Sequence, residues 1–428
     1  METNLGAKRK FVVAFNRDRD GYQVPLALHS AGMLQVLVTD FYASDHNFAR
    51  SLTPKRLRHR SIAGVPRSMV RTSPVSVLMQ AYTELRRARA TGWYMQVDAR
   101  LSRMAADSAA DSSADLFLYA QYAQEAFSDR RLANRLKTLF VFHPHAGLST
   151  QILGEDAQNY PECGGSLKHA IEIDDRELLS RLDSEIKLAD FFFCASSFTR
   201  RSLVHHGVDP QRITVVPYGT TPTNVFETVV RDPSTTRFLY VGQGVQRKGL
   251  HHLLRAWRQA RPQNSILRVI CSQIDPNFEP LLNQPGIDFS RAVSRAELLT
   301  AFSSSHIFVM PSLVEGFGLV YLEALAAGCF VIATPNTGVP DLGLPEGMAM
   351  IVEPADVGQL GEALNTAQRL QANHRMDHSE ISRFANSLSW GAFRQRLVSR
   401  INELPVRDTM SQAGRGSMGT PGDLPRGE

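Results

Sequence analysis

With 428 residues, 43% hydrophobic and 21% charged, the chain has the composition of an ordinary globular protein of two or three domains. No apolar run reaches the roughly 18 residues that a membrane-spanning helix needs, and the apolar stretch near Met1 is too short for a secretory h-region. The four cysteines form no Cys-x-x-Cys pair, Cys194 and Cys329 read as small core residues, and a reducing, cytoplasmic compartment is expected.

Along the chain, short apolar runs alternate with helical patterns, the sign of parallel α/β layers. Strands are expected at 11–15, 35–39, 115–120, 138–142, 191–195 and 213–217, with a polar helix near 174–189. After Pro217-Tyr218-Gly219 the pattern starts again, with strands near 237–244, 266–270, 306–310, 329–334 and 348–353. Two doubly wound units follow, residues 1–218 and 219–386. An amphipathic helix at 387–404, with Trp390, Phe393, Leu397 and Ile401 on one side, is expected to pack back on the first unit. Residues 405–428 read as a disordered tail. A cleft between the units would collect loops from the carboxyl ends of the strands, where open α/β sheets bind ligands.

Five segments could carry chemistry. The loop after the first strand holds Arg17, Arg19, Asp20, Gly21, Tyr22 and Gln23, and reads either as an anion- or hydroxyl-facing loop or as a charged surface turn. Residues 50–103 contain twelve basic residues against two acidic ones, interleaved with Leu52, Leu57, Ile62, Val65, Met69, Val70, Trp93, Tyr94 and Met95. This block suits an anionic membrane surface or a solvated helical face, and it lacks any recognised nucleic-acid module. His143 ends a strand in His143-Pro144-His145, with His145 as the alternative working residue. His251 and His252 read as surface or structural. His169, Glu155 and Cys163 fit no recognised zinc spacing, so no metal is expected.

The remaining two segments lie in the second unit. Gly242-Gln243-Gly244-Val245-Gln246-Arg247-Lys248-Gly249 joins a strand to a helix, and its glycines and two adjacent cations suit a pyrophosphate. Residues 311–328, PSLVEGFGLVYLEALAAG, place Glu315 before Gly316-Phe317-Gly318 and then a helix apolar on every side, expected to be buried. Glu323 lies inside that helix on the face of Leu319 and Ala327. A carboxylate buried there needs a partner, either a ligand or a structural cation.

Strand, loop, two carboxylates eight residues apart, glycines and a small-residue helix end together resemble the Glu-x7-Glu motif of retaining glycosyltransferases of family 4, the group 1 glycosyltransferases. The resemblance covers most of residues 138–335 and takes in the N-terminal loop weakly. It implies the GT-B fold, two facing Rossmann-like doubly wound domains with an interdomain cleft, and transfer of a sugar from a nucleotide-diphosphate donor with retention. It assigns His143, Glu315 and Lys248 to the reacting centre. Gly242, Gln243, Arg247 and Lys248 fall to the donor diphosphate, with Gln243 where arginine is usual. Glu315, Gly316, Phe317, Gly318 and Leu319 fall to the donor sugar and phosphate, and Glu323 to the ribose. Asp20, Gly21, Tyr22 and Gln23 fall to the acceptor or phosphate loop, Glu185 to the interdomain wall, and backbone near 290–294 to the base. No metal and no cofactor beyond the nucleotide sugar are implied. The expected acceptor is a saccharide or lipid-linked precursor in surface polysaccharide or glycoconjugate synthesis, met in the cytoplasm or at the inner face of the membrane. A GT-B-like sugar-nucleotide epimerase and a catalytically silent nucleotide-sugar-binding protein are the alternatives.

Overall fold

The computed structural model describes residues 8–43, 57–77, 91–163, 176–221, 231–291 and 293–405. Residues 406–428 of the expected tail and much of the basic block, including 50–56 and 78–90, lie outside the described residues.

The first domain is built on strands β1 (Phe11–Ala14), β2 (Leu34–Thr39), β3 (Val70–Thr72), β4 (Asp115–Tyr119), β5 (Lys137–Val141), β6 (Phe191–Cys194) and β7 (Ile213–Val215). They form one parallel sheet in the order β3-β2-β1-β4-β5-β6-β7. Its helices are α1 (Gln23–Ser30), α2 (Thr91–Ser112), α3 (Gln124–Ser128), α4 (Ala146–Asn159), α5 (Arg176–Leu188) and α6 (Ser197–His205). The second domain carries β8 (Thr236–Val241), β9 (Ser265–Ile270), β10 (Ile287–Ser290), β11 (Ile307–Val309), β12 (Phe330–Ala333) and β13 (Ala349–Ile351), again parallel, ordered β10-β9-β8-β11-β12-β13. Helices α7 (Leu250–Ala260), α8 (Arg295–Ser304), α9 (Leu319–Ala326), α10 (Val357–Ala372) and α11 (His378–Ser387) accompany it, and α12 (Trp390–Asn402) closes the described chain.

Continuous apolar runs such as FVVA in β1 and FVIA in β12 are buried throughout, as strands covered by helices on both faces must be. The two strands that the pattern does not predict, β3 and β10, are both sheet edges. Their sequences, VRT and IDFS, mix polar with apolar residues because an edge strand pairs on one side alone. Each sheet reverses its direction of growth once, between β1 and β4 and between β8 and β11. Those two switch points are where parallel sheets open crevices at their carboxyl ends.

Parts of the basic block are structural. Val65 and Val70 are buried, Ile62 and Met69 pack against the core, and Arg60 pairs with the buried Asp40 at 2.6 Å. This corrects the interfacial reading of those four apolar residues: they face the sheet.

The last helix crosses back. Thr220 N donates to the Leu388 carbonyl at 2.8 Å and Trp390 N to the Thr220 carbonyl at 3.1 Å. Helix α12 then lies on α1, where Arg394 Nη1 donates to Gln23 Oε1 at 2.5 Å. Gly219 is required at this crossing, because a Cβ there would sit 2.5 Å from the carbonyl carbon and oxygen of Ser389. Gly219→Ala is expected to lower the unfolding free energy by about 1–3 kcal/mol through this overlap. Urea denaturation checks it, and an unchanged midpoint would mean the two segments separate without cost.

Candidate active site

Strands β8 and β11 are neighbours, so the loops leaving their carboxyl ends meet although about 70 residues separate them in sequence. The first loop turns through a single 3-10 turn, Gln246–Lys248, and ends at Gly249 with φ +68°. A side chain at Gly249 would overlap the Pro311 carbonyl, so glycine lets this turn press directly on the second loop. The Arg247 carbonyl accepts from Leu313 N at 2.9 Å and Val314 N at 3.2 Å, which staples the loops together.

Lys248 and Glu315 are thereby brought into direct contact as an ion pair between Nζ and Oε2. Arg247 Nη1 stands 3.8 Å from the same oxygen. Glu315 is only 8% exposed. Burial and the neighbouring Arg247 both disfavour the Lys248 ammonium and lower its pKa, while the contacting carboxylate favours the charged form. Arg247 Nη2 also donates to Gln243 Oε1 at 2.9 Å, and Gln243 Nε2 to Gln273 Oε1 at 3.4 Å. Gln243 therefore orients the Arg247 side chain. Gly242 lies beside it, against Met310 and Tyr240.

The segment after Glu315 departs from the sequence expectation in three ways. Gly316 N donates to the Glu315 carboxylate at 3.1 Å, and its carbonyl accepts from Ser196 Oγ at 2.5 Å and Thr199 Oγ1 at 3.2 Å. Phe317 is buried against Tyr218 in an edge-to-face contact at 5.2 Å, so its side chain serves the core. Helix α9 is not buried on every side. Leu319 is 40% exposed and Glu323, one turn on, is exposed as well. Glu323 thus lacks the buried partner that its apolar neighbours suggest. Partial desolvation by the surrounding protein still raises its pKa, with Arg295 pulling the other way. An accessible yet partly desolvated carboxylate is what the wall of a crevice provides.

From the first domain, β5 delivers His143 to the same place. A side chain at Gly316 would overlap the Phe142 carbonyl and come within 3.5 Å of His143 Cα. His143 is exposed, and its ring lies 4.7 Å from that of Phe142. The Arg19 guanidinium covers the Phe142 ring at 4.0 Å, which adds a cation beside this strand end. His145 is otherwise engaged. Its Nδ1 accepts from Gly147 N at 3.1 Å, capping α4, and its Nε2 contacts Asp183 at 3.0 Å.

The loop after β1 is mostly inward-facing, which corrects its reading as a ligand loop. Tyr22 is a core residue packed on Phe15 and Tyr42, and Gln23 is spent on Arg394. Asp20 accepts from Gln23 N at 3.1 Å and from the Tyr119 hydroxyl, with its carboxyl pushed up to about 7 by burial. Gly21 alone among the four is exposed, at φ +58°. Glu185 is not on the interdomain wall either. It is fully buried inside the first domain, accepting from the Gln121, Ala123 and Gln124 amides at 2.7–3.1 Å at the start of α3.

The two domains close on each other on both flanks of Glu315. On one flank Ser197 bonds Asp341 through both its amide and its hydroxyl. On the other, α4 presents Leu153 to Leu313 and Val314, and Asp156 to Gln246, His251 and His252. These contacts are missing from the sequence reading. The signal for Asp156 was its spacing of three from Leu153, which puts both on one helix face.

Comparison with known proteins bears on the family and the fold. Residues 224–383 match the family model described as glycosyl transferases group 1. The chain is 28% identical over 208 residues to the MMP alpha-(1->4)-mannosyltransferase of Mycolicibacterium hassiacum, covering 46% of this chain and 50% of that one. It is 34% identical over 163 residues to the D-inositol 3-phosphate glycosyltransferase of Pseudarthrobacter chlorophenolicus, covering 34% and 39%. The chain thus spans about half the length of the curated relatives it matches. Among solved structures, the sucrose-phosphate synthase of Thermosynechococcus elongatus superposes with a TM-score of 0.57 at 16% identity, covering 95% of this chain and all of that one. The alpha,alpha-trehalose 6-phosphate synthase of Burkholderia multivorans gives 0.57 at 14%, covering 97% and 100%. At such identities the likeness shows the fold, and that fold is GT-B.

Lys248→Met is expected to cost about 3 kcal/mol of unfolding free energy, because it leaves the Glu315 carboxylate desolvated with Arg247 alone nearby. Adding Glu315→Gln should recover most of that loss. A double-mutant cycle in urea measures both, and a single-variant cost within error would show that the pair contributes no stability.

Proposed function

We propose, from a second domain that belongs to the group 1 glycosyl transferases and a chain that has the GT-B fold as a whole, that this protein transfers a hexosyl unit from a nucleotide-diphosphate sugar to an acceptor with retention. One observation carries the reading. Lys248 and Arg247 converge on Glu315 at the switch point of the second sheet, and the next residue, Gly316, lies against Phe142 and His143 at a strand end of the first.

Catalysis then follows from charge. As the sugar–phosphate bond breaks, negative charge grows on the leaving diphosphate, and Lys248 and Arg247 stabilise it in a desolvated setting. Without donor, Glu315 neutralises these cations. With donor, phosphate oxygens compete for them and Glu315 turns to the sugar hydroxyls. Among the described residues the Phe317 and Gly318 amides have no acceptor of their own, which suits them to a phosphate or sugar oxygen at the start of α9. Exposed Leu319 and Glu323 take the nucleoside, with Glu323 accepting from the ribose hydroxyls. His143 hydrogen-bonds the donor sugar from the opposite domain. The two cations make the transfer step independent of a metal. A front-face reaction fits, in which the leaving phosphate takes the acceptor's proton.

The relatives are named as transferases, which favours transfer over epimerisation. One relative, from Corynebacterium glutamicum, is named as GDP-mannose-dependent and as acting on a phosphatidylinositol mannoside. A lipid-linked or saccharide acceptor for glycoconjugate synthesis is the corresponding inference here. No helix among the described residues is long and apolar enough to cross a membrane.

Screening hexosyl nucleotides by thermal shift, followed by NMR of the anomeric product, tests the reading. Nucleotide release without acceptor, or an inverted product, would refute it. Glu323→Gln should lower transfer kcat/KM about tenfold to hundredfold, the worth of a charge-assisted hydrogen bond, with Tm unchanged because the residue is exposed. Gln243→Arg should leave nucleoside diphosphate affinity equal or tighter. A clear loss of affinity would remove residue 243 from the diphosphate site.

A further inference from the structure

Away from the reacting centre, the seam between the domains buries a cluster of side chains that sugar transfer does not use. Asp156 at the end of α4, Cys163 in the turn that follows and His251 on α7 offer one oxygen, one sulfur and one nitrogen, all within 4.8 Å of one another. None of the three is more than 4% exposed. We propose that they bind a divalent transition cation of the zinc type, which ties the first domain to the second.

Four observations carry the assignment. The donors are chemically right: carboxylate, thiol and imidazole are the zinc ligand set, and one carboxylate with one thiolate balances a dipositive charge. The spacing is close to that of a bound ion, since all three donors lie within 4.8 Å of one another. A tetrahedral ion with bonds of about 2.0–2.3 Å separates its donors by about 3.3–3.8 Å, and His251 Nε2 stands 3.1 Å from Asp156 Oδ2. Little movement is needed for an ion to enter.

The surroundings hold the donors in place. His252 Nε2 contacts the other carboxylate oxygen at 2.7 Å, and Gln246 Nε2 donates to Asp156 Oδ2 at 2.8 Å. Just before Cys163 the turn is anchored to the second domain. Arg255 pairs with Glu162 and lies over the Tyr160 ring at 4.7 Å, and Asn277 donates to the Glu162 carbonyl at 2.9 Å. Finally, the cluster is incomplete without an additional group. Cys163 is a free, fully buried thiol with no hydrogen bond to the described residues, and His251, with Nδ1 unpartnered, is held by hydrogen bonding only through Nε2 on Asp156. A second trio, His145, Asp183 and His206, has comparable spacing but a different geometry. Its imidazoles stack at 3.6 Å and 25°, so their lone pairs run side by side instead of converging.

Binding replaces the proton shared by His251 and Asp156 and releases the Cys163 thiol proton to solvent. The ion would then fix the distance between α4, which starts beside His143, and the turn that carries Lys248. The sequence expectation of no metal rests on spacing along the chain, and these donors come from both domains.

The test uses the full chain, purified without chelator, incubated with zinc sulfate and desalted, with zinc counted by plasma mass spectrometry. A parallel sample is loaded with cobalt(II) and read in the near ultraviolet, where a thiolate ligand gives a charge-transfer band. About one zinc per chain and a cobalt band are expected. Cys163→Ser should abolish the band and weaken zinc binding at least about tenfold, while Cys271→Ser changes neither. Wild-type protein that retains no zinc and shows no cobalt band overturns the proposal without reference to any variant. A band that survives in a folded Cys163→Ser protein overturns it too.

Discussion

The pairing of Lys248 with Glu315 is the interaction on which the rest depends. Two groups of opposite charge sit where little water reaches, and each makes the other tolerable. Neither loop has a reason of its own to hold its conformation. Gly249 provides the backbone freedom and the Arg247 carbonyl the staple, but the charge pair decides which face of each loop points inward. An arrangement of this kind stores binding capacity. A ligand carrying phosphate and hydroxyls can take over both partners without leaving a bare charge behind.

Around that pair the domains meet in a seam that is part apolar and part polar. Leu153, Phe198, Leu313 and Val314 form a small core drawn from both domains. Tyr218 gathers the junction by contacting Phe140 of the first sheet, Phe317 of the glycine loop, and Trp390 and Phe393 of the returning helix. Hydrogen bonds then set the register: Ser196 and Thr199 on the Gly316 carbonyl, Ser197 on Asp341, and Gln246 on Asp156. The seam places His143 against Gly316, so the two sides of the candidate site meet where the domains touch.

Much of the fold was legible because buried parallel strands are short continuous apolar runs. Phe11–Ala14, Phe191–Cys194 and Phe330–Ala333 stand out from polar surroundings, and the edge strands Val70–Thr72 and Ile287–Ser290 do not, since half their hydrogen-bonding side has no neighbour. In the site, Lys248 and Glu315 could be picked out by local chemistry: cations and carboxylates beside glycines at strand ends. The errors have one cause. Tyr22, Gln23 and Glu185 have polar groups that could serve a ligand equally well, and whether such groups face a crevice or the interior is not a local property. Glu323 errs the other way, since apolar neighbours in sequence suggested burial that the packing of α9 does not impose.

By itself the sequence determined the layers, the buried strands and the residue types at the loop ends, because these depend on periodicity and on the few conformations that glycine and proline permit. The tertiary structure alone decided which side chains meet. Lys248 finds Glu315 because β8 and β11 are adjacent in the sheet, and Asp156 finds His251 because the end of α4 reaches the start of α7 across the seam between the domains. Contacts between residues far apart in the chain are set by packing that every element shares, and no local pattern encodes them.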